Sequence, residues 1–289
     1  MLYDLLIAPF VGDPLMQQAL AACVAISLGS APIGVFLMLR RLSLMGDALS
    51  HAILPGVGVA YLGYGMAPWA LMLGGLGAGL LVALSSMLVS RTTRLKEESS
   101  FAALYLLSLA VGVVMLAAQG DSHELMHILF GDIFSMDRAM LLTLAGCVTL
   151  TLLLLAAIYR PLVMECFEPA FLRQMRGRGG LVHGVFIVLV VLNLVAAFQA
   201  LGTLMTLGLM LVPAVASNFW SRTVDGAIGV SVLFSLVSGV AGLIGSYHLE
   251  VPSGAAMVLA AGVIYAISLI FGPYLSLRAA FMRHRHLAA

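Results

Sequence analysis

The chain has 289 residues, of which 62% are hydrophobic and only 9% charged, with a formal net charge of +1. So little polar surface cannot cover a soluble globule of this length, which excludes water-soluble enzymes and nucleic-acid-binding domains and makes this an integral membrane protein. A spanning helix needs roughly 20 apolar residues and a barrel strand about ten alternating ones, so long non-alternating runs such as LLTLAGCVTLTLLLLAAIY point to an all-α membrane protein.

The opening MLYDLLIAPFVGDP has no Lys or Arg ahead of its apolar part and carries Asp4 and Asp13. It reads as a short extracytoplasmic lead-in rather than a cleaved signal peptide. Nine candidate spans follow, near 15–39, 44–64, 67–90, 99–118, 138–158, 181–200, 203–220, 227–246 and 254–275. They are read as one transmembrane domain over 1–289, with the membrane region at 15–275, a cytoplasmic segment at 159–180 and a cytoplasmic tail at 276–289. The sixth and seventh spans, joined only by ALGT, are the weakest of the set.

If the chain starts outside, the cytoplasmic segments hold Arg40, Arg41, Arg91, Arg94, Lys96, Arg160, Arg173, Arg176, Arg178, Arg222, Arg278, Arg283 and Arg285. That leaves only Arg138 outside, so 13 of the 14 basic residues share one side, a strong positive-inside pattern. The outer segments carry Asp4, Asp13, Asp121, Glu124, Asp132, Asp137 and Glu250, an acidic face that favours an arriving cation.

The second span, in RRLSLMGDALSHAILPGVGVAYLG, holds Asp47 and His51. A charge there costs about 2.5 kcal/mol or more on insertion scales, so each residue demands a partner or a task. Four positions apart, they share one helix face. Pro55, Gly56 and Gly58 follow at once, where a membrane helix can bend or unwind and offer carbonyls to a cavity. Two assignments stand: a structural one, with Asp47 paired to His51 or neutralised by Arg40 or Arg41, and a divalent-metal site on a translocation path. A carboxylate with an imidazole suits zinc or manganese, and no thiolate lies near to favour copper(I). Two side chains are too few to hold a metal, but a two-fold dimer would supply Asp47 and His51 twice.

The third span contains GGLGAG, small residues suited to close helix packing. No G-x-x-x-x-G-K-[ST] occurs anywhere, so ATP is not bound here by a P-loop. Between the fourth and fifth spans DSHELMH contains His-Glu-x-x-His, which on a helix brings His123 and His127 to one face beside Glu124, as in zinc proteases. Asp121 and Glu124 equally suit capping positions of a short interfacial helix ended at Gly131, and no third ligand is evident at the same depth. An intramembrane metalloprotease and an outer metal-attracting patch are thus weighed against a plain capped helix.

The longest inner segment, RPLVMECFEPAFLRQMRGRGG, is amphipathic through Phe167, Phe171, Leu172 and Met175 among Glu168, Arg173, Gln174 and Arg176. It lies on the inner face either as a surface loop or as a dock for a cytosolic partner. His248 and Glu250, in SYHLEVPSG at the outer end of the eighth span, are weaker metal candidates, because ionisable groups at the membrane surface are easily solvated. Cys23, Cys147 and Cys166 lie singly, and the 17 methionines sit singly in apolar runs; both read as packing residues.

These segments resemble the permease subunits of bacterial zinc/manganese/iron ABC importers, the metal-ABC permease family. The match runs in order through RRLSLMGDALSHAILPGVGVAYLG, KEESSFAALYLLSLAVGVVML, HELMHILFGDI, FEPAFLRQMRG, FQALGTLMTLGLMLVPAVAS and SYHLEVPSG. The resemblance implies a type II ABC importer-like permease fold, a homodimer in the bacterial cytoplasmic membrane, two cytosolic ATPase subunits that bind ATP on its behalf, and a periplasmic metal-binding protein. It implies no enzymatic activity and no cofactor of the chain's own, with zinc, then manganese, as substrate. Asp47 and His51 match the family's metal path, and Phe167 through Gly177, including Glu168, Phe171 and Arg173, its ATPase-coupling segment. Departures are Glu168 for a usual Asp, Arg176 for a usual Gly with Gly177 one place later, and Glu250 for a usual Asp. His127 is a family feature and His123 is not. An ion-coupled secondary transporter remains the other transport reading, although no internal repeat supports it.

Overall fold

The structure is a computed structural model, and it describes residues 10, 12–65, 67–93, 97–117, 133–168, 179–274 and 276. Ten α-helices are found among the described residues: α1 (Pro14–Leu39), α2 (Ser43–Ala52), α3 (Leu54–Tyr64), α4 (Pro68–Thr92), α5 (Glu97–Ala117), α6 (Arg138–Phe167), α7 (Gly179–Leu201), α8 (Thr203–Ser217), α9 (Val224–Leu249) and α10 (Ser253–Phe271). Local chemistry sets their ends. The Asp13 carboxylate accepts from the Leu15 amide at 2.9 Å with Pro14 opening α1, and Thr223 Oγ1 accepts from the Gly226 amide at 3.2 Å to open α9.

Among the described residues seven helices are long and apolar enough to cross a membrane: α1, α4, α5, α6, α7, α9 and α10. Two of the nine expected spans depart from expectation. The second is divided into α2 and α3, because Pro55 has no amide to return to the His51 carbonyl. The division is a turn rather than an unwound stretch, since Ile53 stays right-handed at φ −72°, ψ −30°. Ser108 Oγ of α5 donates to the Ala52 carbonyl across this break at 3.0 Å. Ser108→Ala is expected to lower the thermal unfolding midpoint in detergent only slightly, for a loss of about 0.6 kcal/mol typical of such membrane hydrogen bonds.

The seventh span is the 15-residue α8, about 22 Å of helix, which is short of a hydrocarbon core of roughly 30 Å. It is nevertheless distinct from α7, because Gly202 between them adopts φ 76°, ψ 170°, a conformation open to glycine and closed to an ordinary side chain. In the other direction, residues 159–167 of the expected inner segment continue α6 as helix with Glu168 as its C-cap, and residues 179 and 180 already belong to α7.

α1 and α7 are the most buried helices and form the centre of the bundle; α9 packs on α10 and α1, α6 on α7 and α1, and α3 on α4. Their core is apolar, with Phe36, Ile33, Leu37, Phe186, Leu189 and Val190 fully buried. Polar links between helices are few and well made: Asn193 Nδ2 donates to Thr151 Oγ1 at 2.6 Å, and Ser235 Oγ donates to Ser27 Oγ at 3.0 Å. Leu73, Leu81, Leu88, Leu107 and Val114 point outward, as a lipid-facing surface requires. Three of the four glycines of GGLGAG pack as expected, with Gly74 against Gly56 of α3, and Gly75 and Gly79 against Ile53, whereas Gly77 has nothing within 4 Å. Cys23, Cys147 and Cys166 are free thiols, the first two buried.

Candidate metal path

Asp47 and His51 sit one turn apart on α2, with Asp47 Oδ1 and His51 Nε2 3.8 Å apart. That is too long for a hydrogen bond and near the span of two donors each ~2.0–2.2 Å from one shared cation. The Asp47 side chain is 58% exposed and that of His51 25%, so both are open to a visitor on the outward side of α2. His51 Nδ1 is buried and has no hydrogen-bond partner among the described residues. Among the described residues no cluster of three His, Cys, Asp or Glu forms, so no third ligand joins the pair there.

A cleft of about 250 Å³ opens beside the pair, between α2 and α5, lined by Arg41, Leu44, Asp47, Glu98, Phe101 and Tyr105. It combines two carboxylates and a phenol with an apolar wall and the Arg41 side chain, so oxygen donors suited to a cation share the cleft with one fixed positive charge. Arg40, one of the two arginines able in principle to neutralise Asp47, is engaged elsewhere. Its Nη2 bonds Glu165 Oε1 at 2.8 Å and also contacts His183 Nδ1, and its guanidinium lies 5.0 Å from the centroid of the Phe186 ring. Glu165 and His183 were not singled out by sequence reasoning. His183 falls inside the apolar run of the sixth span, so the insertion-cost argument that flagged Asp47 and His51 applied to it as well.

His248 lies in the last turn of α9, its ring 5.3 Å from that of Tyr247, and Glu250 is its exposed C-cap at φ 54°. No third ligand joins them among the described residues. Phe167 is the exposed last residue of α6, and with Val163, Met164 and Glu168 it lines an open apolar recess of about 340 Å³. His123, Glu124 and His127, and Phe171, Arg173 and Gly177, lie outside the described residues.

A broken helix carrying an ionisable pair within an all-helical, multi-pass bundle defines a membrane transport subunit. Residues 12–272 match the model of the ABC 3 transport family, and the chain belongs to that family. It is 31% identical over 259 residues to the manganese transport system membrane protein MntC of Halalkalibacterium halodurans, covering 89% of this chain and 87% of that one. It is 28% identical over 274 residues to the chelated iron transport system membrane protein YfeD of Yersinia pestis, covering 94% and 90%. Among solved structures it resembles PsaBC from Streptococcus pneumoniae in complex with Fab, with a TM-score of 0.84, 26% identity, and coverage of 95% of this chain and 98% of that one. The fold is accordingly that of the ABC metal permeases.

Proposed function

We propose that the chain is the membrane-spanning subunit of an ATP-driven importer of a divalent transition metal, and that Asp47 and His51 line the ion's path. The observation that carries this is the half-exposed Asp47 carboxylate beside His51 on an otherwise apolar helix surface, where Leu44 is 84% exposed. A charge on a lipid-facing side costs several kcal/mol, so this face is better explained by a second copy of the chain, whose own pair would bring the donors to four. ATP hydrolysis then belongs to cytosolic subunits docked at Phe167, Glu168 and the segment through Phe171, Arg173 and Gly177, and a periplasmic binding protein delivers the ion. In this arrangement the N-terminus lies outside the cytoplasmic membrane and the C-terminus inside.

The cargo order changes from the zinc-first expectation. Relatives are named for manganese and for iron, so manganese leads, iron(II) follows and zinc is third. An oxygen-nitrogen donor pair without thiolate is compatible with that order. The ABC family match leaves the metalloprotease and the secondary transporter without support.

The test is accumulation of radioactive manganese and zinc by cells expressing the chain with its ATPase and binding-protein partners, with and without ATP depletion. ATP-dependent manganese uptake is the expected result; uptake that persists undiminished after depletion would refute the reading. Acidification is expected to weaken uptake, because a protonated carboxyl and an imidazolium cannot ligate a metal, so protons compete with it. Initial rates across external pH check this, and rates that stay flat where both ligand types are fully protonated would argue against direct ligation.

A further inference from the structure

The cluster of Arg40, Glu165 and His183 takes no part in holding the ion, yet it joins three helices at one end of the bundle. Arg40 caps the end of α1, Glu165 lies three residues before Glu168 at the end of α6, and His183 lies four residues after Gly179 at the start of α7. The two partners of Arg40 therefore stand at the two roots of the segment 169–178, on either side of it in the chain. All three side chains are nearly buried, at 9%, 13% and 11% exposure. His183 Nδ1 is 3.7 Å from Glu165 Oε1, and because a guanidinium has no acceptor, His183 Nδ1 accepts from Arg40.

On its other side Arg40 is tied to the metal pair by a stiff connection. The Arg41 amide donates to the Met38 carbonyl at 3.0 Å and the Leu42 amide to the Leu37 carbonyl at 2.8 Å, a Schellman turn with Arg41 left-handed at φ 59°. The turn leads directly into α2, so Asp47 lies six positions after Arg41. Arg40 Nη1 is buried without a hydrogen-bond partner among the described residues, so the guanidinium keeps donor capacity beyond these two contacts. A hydrogen-bond and ion-pair network joining helix ends is the kind of element through which two sites are coupled.

We propose that Arg40, Glu165 and His183 are positioning residues that couple the end of α6 and the start of α7, through the α1–α2 turn, to the helix bearing Asp47 and His51. This rests on the importer reading given above.

The test uses the full complex, with ATPase and binding-protein subunits, in proteoliposomes, and reads manganese uptake per ATP hydrolysed alongside subunit assembly. Glu165→Gln is expected to assemble and hydrolyse ATP but to transport about tenfold less manganese per ATP, a size typical of a coupling network. His183→Leu removes the acceptor for Arg40 and should do the same, whereas His183→Gln supplies an amide oxygen in its place and should keep most of the coupling. A general packing defect would not divide Leu from Gln in this way. Should Glu165→Gln fail to assemble, the His183 pair decides alone. Unchanged uptake per ATP in Glu165→Gln, or equal behaviour of His183→Leu and His183→Gln, overturns the proposal while the importer reading stands. Absence of ATP-driven uptake by the wild-type complex overturns both.

Discussion

Asp47→Ala is expected to abolish manganese accumulation while leaving the protein about as stable as the wild type. Loss of even an outer-shell partner of a metal typically costs 10–100-fold, so loss of a direct ligand should lower uptake by about 100-fold or more. If two copies share the ion, each substitution removes a ligand twice. Stability should fall little if at all, because the Asp47 side chain is 58% exposed and its 3.8 Å separation from His51 is too long for a hydrogen bond that alanine would forfeit. Thermal unfolding of purified Asp47→Ala in detergent and uptake at matched expression test the two halves separately. Glu124→Ala should transport normally. Equal uptake by all three proteins would place the pathway away from α2, and loss confined to Glu124→Ala would move it to the His-Glu-x-x-His segment.

The residues whose relationship depends on one helix were legible from the sequence, and those whose relationship depends on two were not. Asp47 and His51 lie four apart, so helical periodicity alone puts them on one face, and the structure places them at 3.8 Å. The glycines of GGLGAG could be assigned to close packing, although the partner, Gly56 of α3, could not be named. Pro55 marked the second span for a break, but only the turn at Ile53 shows that the helix is divided without unwinding. Arg40 illustrates the limit. Its nearest acidic neighbour in the chain is Asp47, whereas its partner in space is Glu165, 125 positions away, because the ends of α1, α6 and α7 converge there. Spacing along a chain carries no information about which helix ends meet. His183 was overlooked for a different reason: as the single ionisable residue of a long apolar run it carried the same warning as His51, and the run's hydrophobicity masked it.

Gly56→Ala is expected to destabilise the bundle and lower uptake, whereas Gly63→Ala on the same helix should do neither. A Cβ at position 56 would stand 2.0 Å from the Gly74 carbonyl oxygen and 2.6 Å from Ala78 Cβ; one at position 74 would stand 2.2 Å from the Gly56 carbonyl oxygen. The obstacle on each side is backbone, which cannot rotate away as a side chain would. The helices α3 and α4 must therefore separate, giving up the close approach that holds membrane helices together where lipid removes the hydrophobic drive. Overpacking of this kind costs about 1–3 kcal/mol. Because α3 continues from α2 through the turn at Ile53, the displacement also shifts the support beneath Asp47 and His51. A Cβ at position 63 meets nothing within 4 Å, and alanine there gains up to about 1 kcal/mol of helix propensity over glycine. Thermal unfolding midpoints of the two variants in detergent, measured with manganese uptake, check the contrast. Equal midpoints would show that α3 and α4 do not meet at Gly56 and Gly74 in the membrane, and with that the rigid backing assigned to the α2 metal pair would be lost.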